Sequence, residues 1–180
     1  MLIAQQKRKE NIAEYLIYMW QIEDQIRAFN FNIEAIQQHI ISKYDQPDEV
    51  KAQIGEWYEN LILLMRNEGI TASGHLQVTK NLITDLYNTH LYLLKTPNEV
   101  RYQTTFATAK PDIELLKVKT KEENDIAAAF QFLYGSLLLR LQGKDLTKDT
   151  QSGMKRISAL ISLLATRHHK FERGDEEIVL

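Results

Sequence analysis

The chain has 180 residues, of which 44% are hydrophobic and 26% charged, and its formal net charge is −2. A chain of this length can bury about 70% of its unfolded surface around one core. The near-neutral charge argues against nucleic acid as an overall partner. Because cysteine is absent, disulfides, thiolate metal sites and cysteine nucleophiles are excluded.

The first ten residues, MLIAQQKRKE, contain no long apolar stretch before a cleavage site, so we predict no secretory signal. No apolar run approaches the roughly 20 residues that a membrane-spanning helix needs. We therefore expect a cytoplasmic protein with no membrane association.

The seven glycines and three prolines are few for this length, and no long stretch alternates with period two. The sequence therefore predicts an all-α fold, a single domain over residues 1–180 that forms a bundle of six or seven helices. We expect residues 173–180 to fray.

The first predicted helix starts in the charged segment QQKRKEN and ends near Ala28. Its stretch NIAEYLIYMWQIEDQIR is apolar over more than half of the helix circumference, which is typical of a helix covered on several sides. We interpret it as the central helix of the bundle. Glu23 and Arg27 fall inside this apolar arc.

The next three predicted helices have clear limits. Asn32 is a good N-cap for a short helix, and the following helix covers about Asp48–Asn67. Gly69 ends that helix in a left-handed conformation. The fourth helix ends near Lys95; His90 lies on its inner face, whereas His75 is at the margin.

Two capping boxes are predicted in the second half of the chain. Thr96 with Glu99 would open one helix, which should break or kink before Pro111. Thr120 with Glu123 would open a long helix to about Gln142. That helix is apolar almost all round, with Leu133 predicted to be deeply buried and Arg140 beside it. The last helix runs from about Lys148 to Phe171, with His168 on its inner face.

Polar residues on inner faces are the leading candidates for a binding site: Glu23, Arg27, His90, Arg140 and His168. They could be satisfied structurally, either by a Glu23–Arg27 pair within one helix or by a Glu23–Arg140 bridge between helices. Alternatively, they converge on a polar cavity for a small anionic or metal ligand.

Sequence motifs for catalysis or cofactors are missing. None of the five histidines follows an acid at the spacing of a di-iron bundle, and no zinc or dinucleotide pattern occurs. The segment from Gly69 to Gly74 has the glycine spacing of a phosphate loop but lacks its Lys and Ser/Thr. We therefore expect no cofactor and no bound metal, and the balance is against an enzyme.

Two surfaces complete the candidates. Basic residues lie opposite the apolar face of the last helix: Lys148, Lys155, Arg156, Arg167, Lys170 and Arg173. They form either a solvated face or a stripe for an acidic protein or nucleic-acid backbone. Five aromatic residues are expected in the core, and any that are exposed together would indicate an interface: Tyr15, Tyr18, Trp20, Trp57 and Tyr58.

The opening IAEYLIYMWQIEDQIRA, together with the length and all-helical layout, resembles a bacterial family known only as a domain of unknown function. That family is found mainly in Gram-negative gut anaerobes. The resemblance implies a cytoplasmic all-α protein, and it assigns no catalytic or binding residue.

The favoured interpretation is a non-enzymatic helical binding or scaffold protein, with a homodimer or another protein as its partner. The first alternative is a ligand-binding or catalytic bundle that uses the inner polar residues. The second is a weak nucleic-acid binder that uses the last helix.

Overall fold

The computed structural model describes residues 2–174, and this part of the chain is all-α. It contains eight α-helices and one short 3-10 turn, so the predicted fold class is confirmed and the predicted number of six or seven helices is too low. Of the tail that was expected to fray, residues 175–180 lie outside the described part. The helices are α1 Leu2–Glu10, α2 Ile12–Ala28, α3 Ile33–His39, α4 Asp48–Asn67, α5 Gln77–Lys95, α6 Val100–Thr120, α7 Asp125–Leu141 and α8 Lys148–Glu172, with the 3-10 turn at Ile41–Lys43.

The additional helix arises at Asn11, where the predicted first helix divides into α1 and α2. Asn11 has extended backbone angles, and its side chain accepts hydrogen bonds from the amides of Ala13 and Glu14. Such an N-cap satisfies amides that have no partner within the helix. The chain therefore turns at Asn11, and α1 packs against α2.

Helix α6 corrects the prediction of a break before Pro111, because it continues through the proline from Val100 to Thr120. Proline removes one backbone hydrogen bond from a helix interior and clashes with the preceding turn. Buried side chains on both sides, Phe106, Ala109 and Ile113, hold the helix in place. Tertiary packing therefore outweighs the local cost.

Neither predicted capping box forms. The Thr96 hydroxyl donates to the carbonyl of Tyr92 in the preceding helix, and α6 begins only at Val100. Thr120 is the last residue of α6, and the cap of α7 is Asn124, whose side chain accepts from two amides. In contrast, Asn32 caps α3 as predicted.

The chain forms two compact units, which we call the N-terminal unit (Met1–Asn81) and the C-terminal unit (Leu82–Leu180). The boundary falls inside α5. In the N-terminal unit, α2 contributes a wide buried surface to a core that also includes α4 and the turn before α5. The prediction that α2 is covered over a wide arc is therefore confirmed, with these buried members: Ile12, Leu16, Met19, Trp20, Ile22, Glu23 and Ile26.

In the C-terminal unit, α6, α7 and α8 pack against one another. The buried side of α7 includes Ala128, Ala129 and Phe130, whereas Leu133 is only half-buried and Leu141 is exposed. The prediction that Leu133 is deeply buried is therefore wrong. Since α7 is apolar on nearly all sides, its hydrophobic pattern could not identify the buried one.

Candidate functional site

Glu23 occupies the centre of the most unusual polar arrangement in the N-terminal unit. Its side chain is 0% exposed, and its Oε2 lies 2.7 Å from Nδ1 of His75. The His75 ring stacks on the buried indole of Trp20, with ring centroids 4.0 Å apart. The His75 side chain is 29% exposed. These contacts cover Nδ1 and one ring face, and the ring is otherwise partly open to solvent.

The second oxygen of Glu23 helps to start α5. Oε1 accepts a hydrogen bond from the Leu76 amide at 3.1 Å, and Glu68 accepts one from the Gln77 amide at 2.7 Å. A helix N-terminus has amides without partners in the helix and favours negative charge. Two carboxylates from earlier parts of the chain therefore cap α5. The hydrogen bonds from His75 and the Leu76 amide explain why a buried Glu23 is tolerated.

Arg27 lies one turn after Glu23 on α2 and is half-buried. Its guanidinium donates to the Asp24 carboxylate at 2.8 Å and to the carbonyls of Ile70 and Gly74. Glu23 and Arg27 therefore have separate partners and do not form the pair that was one predicted alternative. Arg27 holds the loop that precedes α5, and Glu23 holds the start of the helix.

A cleft of about 480 Å³ opens between α1, α2 and α4 in the same unit. Its wall carries the cations Arg8 and Lys9, the amide of Gln5 and the half-buried rings of Tyr15 and Trp57; Ala4 lies on its floor. No carboxylate is among these described lining residues. The cleft is therefore locally cationic in a chain that is negative overall.

The Tyr15 phenol connects the cleft electrostatically with Glu23. Burial raises the pKa of Tyr15, the Arg8 guanidinium acts in the opposite direction, and the Glu23 carboxylate raises it further. Tyr15 therefore stays protonated at neutral pH, and its neutral side chain is part of the cleft lining.

The Trp57 ring packs against a buried aromatic ring of the same helix. Its edge-to-face partner is the fully buried Tyr58, with centroids 5.2 Å apart and planes at 83°. The Tyr58 hydroxyl donates to the Gln25 side chain at 3.2 Å. This support keeps the indole in one orientation at the cleft wall.

His90 is the buried member of a polar network in the C-terminal unit. It is fully buried, and its Nδ1 lies 2.7 Å from the hydroxyl of the equally buried Tyr102. Its Nε2 lies 3.7 Å from the Asp125 carboxylate, which also binds the Lys117 ammonium at 2.8 Å. The His90 imidazole, followed by Lys117, holds the pKa of Asp125 below its ordinary value, although partial burial acts against them. Burial raises the pKa of Tyr102, and the negative charge of Asp125 adds to this effect.

His168 is buried at α8, where its Nδ1 lies 2.9 Å from the hydroxyl of Thr89. That hydroxyl donates to the carbonyl of Asp85, so it is positioned to accept from the imidazole. The other ring nitrogen lies 3.7 Å from Glu172, one turn later. These contacts give His168 a structural role as a link between α5 and α8.

Arg140 does not have the predicted inner position, because its side chain is exposed near the end of α7. An exposed guanidinium needs no buried carboxylate, and both oxygens of Glu23 already have hydrogen-bond partners. The predicted Glu23–Arg140 bridge assumed two buried charges that each lacked a partner, and neither residue meets that condition. Of the predicted site residues, Glu23, His90 and His168 are buried and Arg27 is half-buried.

The basic face of α8 is partly neutralised by acids of the C-terminal unit. Arg156 makes a two-point contact with Asp112, at 2.6 and 2.8 Å, and Arg167 contacts Glu99. Arg156 and Arg167 are thus engaged in ion pairs, which weakens the case for a phosphate-binding stripe.

Metal and membrane sites receive no support from the described residues. Among them, no group of three or more His, Asp and Glu side chains is arranged to hold a metal ion. In the same part of the chain, no helix has the length and apolar character needed to cross a membrane.

The sequence interpretation missed the cleft and His75. Since α1 and α2 were predicted as one helix, Arg8 and Lys9 were not expected to face Tyr15 and Trp57. The signal was present, because Asn11 followed three residues later by Glu14 is typical of a helix start. His75 was placed at the margin since periodicity describes helices and His75 precedes α5.

The whole chain has no significant match among curated proteins, and it has none among solved structures. A family model described as "Domain of unknown function (DUF4924)" matches residues 1–175. This match covers more than half of the sequence, and the chain therefore belongs to that family.

Proposed function

We propose that this protein is a non-enzymatic helical binding protein whose N-terminal cleft takes an anionic ligand. The observation that supports the proposal is the cleft itself, with Arg8 and Lys9 on its wall and no lining carboxylate among the described residues. A bacterial source and a cytoplasmic location, both implied by the family resemblance, are part of the same proposal.

Local charge makes the cleft selective for anions. The chain as a whole has a charge of −2, so an anion gains no general attraction from the protein. The two adjacent cations at the end of α1, Arg8 and Lys9, contribute positive charge to the wall of the cleft. The neutral Tyr15 hydroxyl can donate a further hydrogen bond.

The competing explanation is structural. Lys7, Arg8 and Lys9 occupy the last turn of α1, where positive charge stabilises a helix C-terminus. Lys7 already pairs with Glu14 at 2.9 Å. This explanation accounts for the charges but not for the two aromatic rings beside them. The proposed function predicts that the cleft binds an anion, whereas the structural explanation predicts no such binding.

Calorimetric titration with inorganic tripolyphosphate tests the proposal. We expect binding that weakens as salt rises and that falls at least about tenfold in the double variant Arg8→Gln/Lys9→Gln. The matched control is Lys148→Gln/Lys155→Gln, which removes the same charge from exposed positions of α8 and should bind like the parent. An equal loss in both variants, or no binding to the parent, would overturn the proposal.

A second candidate is catalysis by His75, because Glu23 orients its imidazole and the ring is partly exposed. A carboxylate that holds Nδ1–H leaves Nε2 available as a base or nucleophile. Hydrolysis of an activated acyl ester should then depend on His75. His75→Gln should abolish the rate above background and Glu23→Gln should lower it, whereas His39→Gln should have no effect. Equal rates in all four proteins would exclude this candidate.

A protein partner or a second copy of the chain is also part of the proposal. Leu63 and Leu64, adjacent exposed residues of α4, are 57% and 45% exposed. Exposed apolar residues favour a protein partner or a homodimer over nucleic acid. Sedimentation at increasing concentration should show a rising average mass, and Leu63→Lys should abolish that rise; a constant monomer mass would contradict self-association.

A further inference from the structure

We propose that the ligand of the N-terminal cleft joins a planar heteroaromatic ring to a phosphate, the chemistry of a mononucleotide. This inference rests on the proposed anion binding and names the class of ligand. It is carried by the combination of two aromatic rings, two cations and one side-chain amide around a single cleft of the N-terminal unit.

The aromatic rings are the part that anion binding alone does not require. Trp57 is fixed by the buried Tyr58, which is itself fixed by Gln25. Tyr15 is half-buried and packs against the core of the unit. Rings that are held in place before binding lose little entropy when a flat ligand stacks on them. Both rings still face the cleft.

The polar side chains of the cleft match the phosphate of such a ligand and the polar edge of its ring. Arg8 and Lys9 suit a phosphate, since guanidinium and ammonium groups donate charged hydrogen bonds to its oxygens. The exposed Gln5 amide has both a donor and an acceptor, which suits the edge of a nitrogen heterocycle.

The size of the cleft agrees with this class. About 480 Å³ lies within the range of roughly 300–1,000 Å³ that small-molecule sites occupy. A lone phosphate would fill only a small part of that space. A ring joined to a phosphate is large enough to contact an aromatic side chain and a cation of the lining at the same time.

Calorimetric titration with adenosine monophosphate, ribose 5-phosphate and tripolyphosphate tests the inference. Because stacking on an aromatic side chain typically improves affinity about tenfold to a hundredfold, the nucleotide should bind tighter than ribose 5-phosphate by about that factor. Trp57→Leu should remove this advantage, and Trp57→Phe should keep most of it. Circular dichroism of both variants shows whether the fold is intact, and the Phe variant keeps the test valid if the Leu variant does not fold.

The outcomes separate the two proposals. Tripolyphosphate binding with equal affinity for the nucleotide and ribose 5-phosphate would overturn the nucleotide class and leave anion binding standing. Tighter binding of an acidic, aromatic-containing peptide than of any nucleotide would also overturn the class. Absence of binding by all three probes would overturn the proposed function itself.

Discussion

The two units place a histidine and a carboxylate in opposite arrangements. In the N-terminal unit the Glu23 carboxylate is fully buried and His75 reaches the surface. In the C-terminal unit His90 is fully buried and Asp125 is partly exposed. Chemistry with an external ligand requires an accessible nitrogen, so His75 can take part and His90 cannot. In this molecule the partly exposed histidine, and not the fully buried one, is therefore the candidate for chemistry.

The largest expected effect is at Glu23. Glu23→Ala removes the acceptor for the His75 imidazole and the Leu76 amide and should lower the free energy of unfolding by about 3–5 kcal/mol. The matched control is Glu59→Ala at an exposed position of α4, where we expect a change within about 0.5 kcal/mol. Urea denaturation followed by circular dichroism measures both. Similar values for the two variants would show that the buried carboxylate has no special role.

The next effect concerns Tyr102. Tyr102→Phe leaves Nδ1 of the buried His90 without its hydroxyl partner and should lower the free energy of unfolding by about 1–3 kcal/mol. Tyr87→Phe removes a hydroxyl from a half-buried ring beside the same histidine and should cost less than about 1 kcal/mol. The same urea experiment compares the two variants, and a larger loss for the Tyr87 variant would contradict the importance of the His90–Tyr102 hydrogen bond.

A smaller, pH-dependent effect belongs to Asp125. Its pKa is lowered in the folded state by His90 and then Lys117, so its ionised form stabilises the fold above the ordinary carboxyl range. That stabilisation should disappear as the pH falls from about 4 through the lower folded value. Asp125→Asn should therefore be less stable than the parent by about 1–2 kcal/mol at pH 7, with the difference closing in acid. A difference that is constant from pH 7 down to pH 2 would contradict this assignment.

The last prediction is that two measurements of unfolding show no difference. Both tryptophans, Trp20 and Trp57, lie in the N-terminal unit, whereas circular dichroism reports helices of the whole chain. If the chain is one domain, as predicted from its length, urea transitions followed by tryptophan fluorescence and by circular dichroism should coincide. Separate midpoints, or a Tyr102→Phe variant with an unchanged fluorescence transition, would show that the units unfold independently.

Sequence periodicity predicted the helices whose ends have local signals. The limits of α4 agree with the prediction, and Asn32 caps α3 as expected. Gly69 and Gly143 take positive φ values after their helices. At the start of α7 the prediction failed, because α6 continues to Thr120 and Asn124 caps the next helix. Two residues four positions apart were both suitable caps, and local propensity is a weak guide to which of them is used.

The candidate site was only partly predictable for a different physical reason. Burial of Glu23 followed from the wide apolar arc of α2, but its partner, His75, is 52 residues later and outside any helix. Periodicity contains no information on such a contact. Similarly, the cleft depends on how α1 turns back at Asn11, so Arg8 and Trp57 meet only through tertiary structure.

The capping of α5 by Glu23 and Glu68 has a consequence for the order of folding during synthesis. The Glu23 contact joins residues 53 positions apart, and both carboxylates leave the ribosome before the helix that they cap. Because chains emerge from the N-terminus at about 5–20 residues per second, acceptors for the first amides of α5 are already present when those amides appear. A circular permutant that begins at His75 would keep the Leu76 and Gln77 amides attached to α5 and would reverse this order. Its α5 would be made before either acceptor, with those amides exposed to water until the rest of the chain followed.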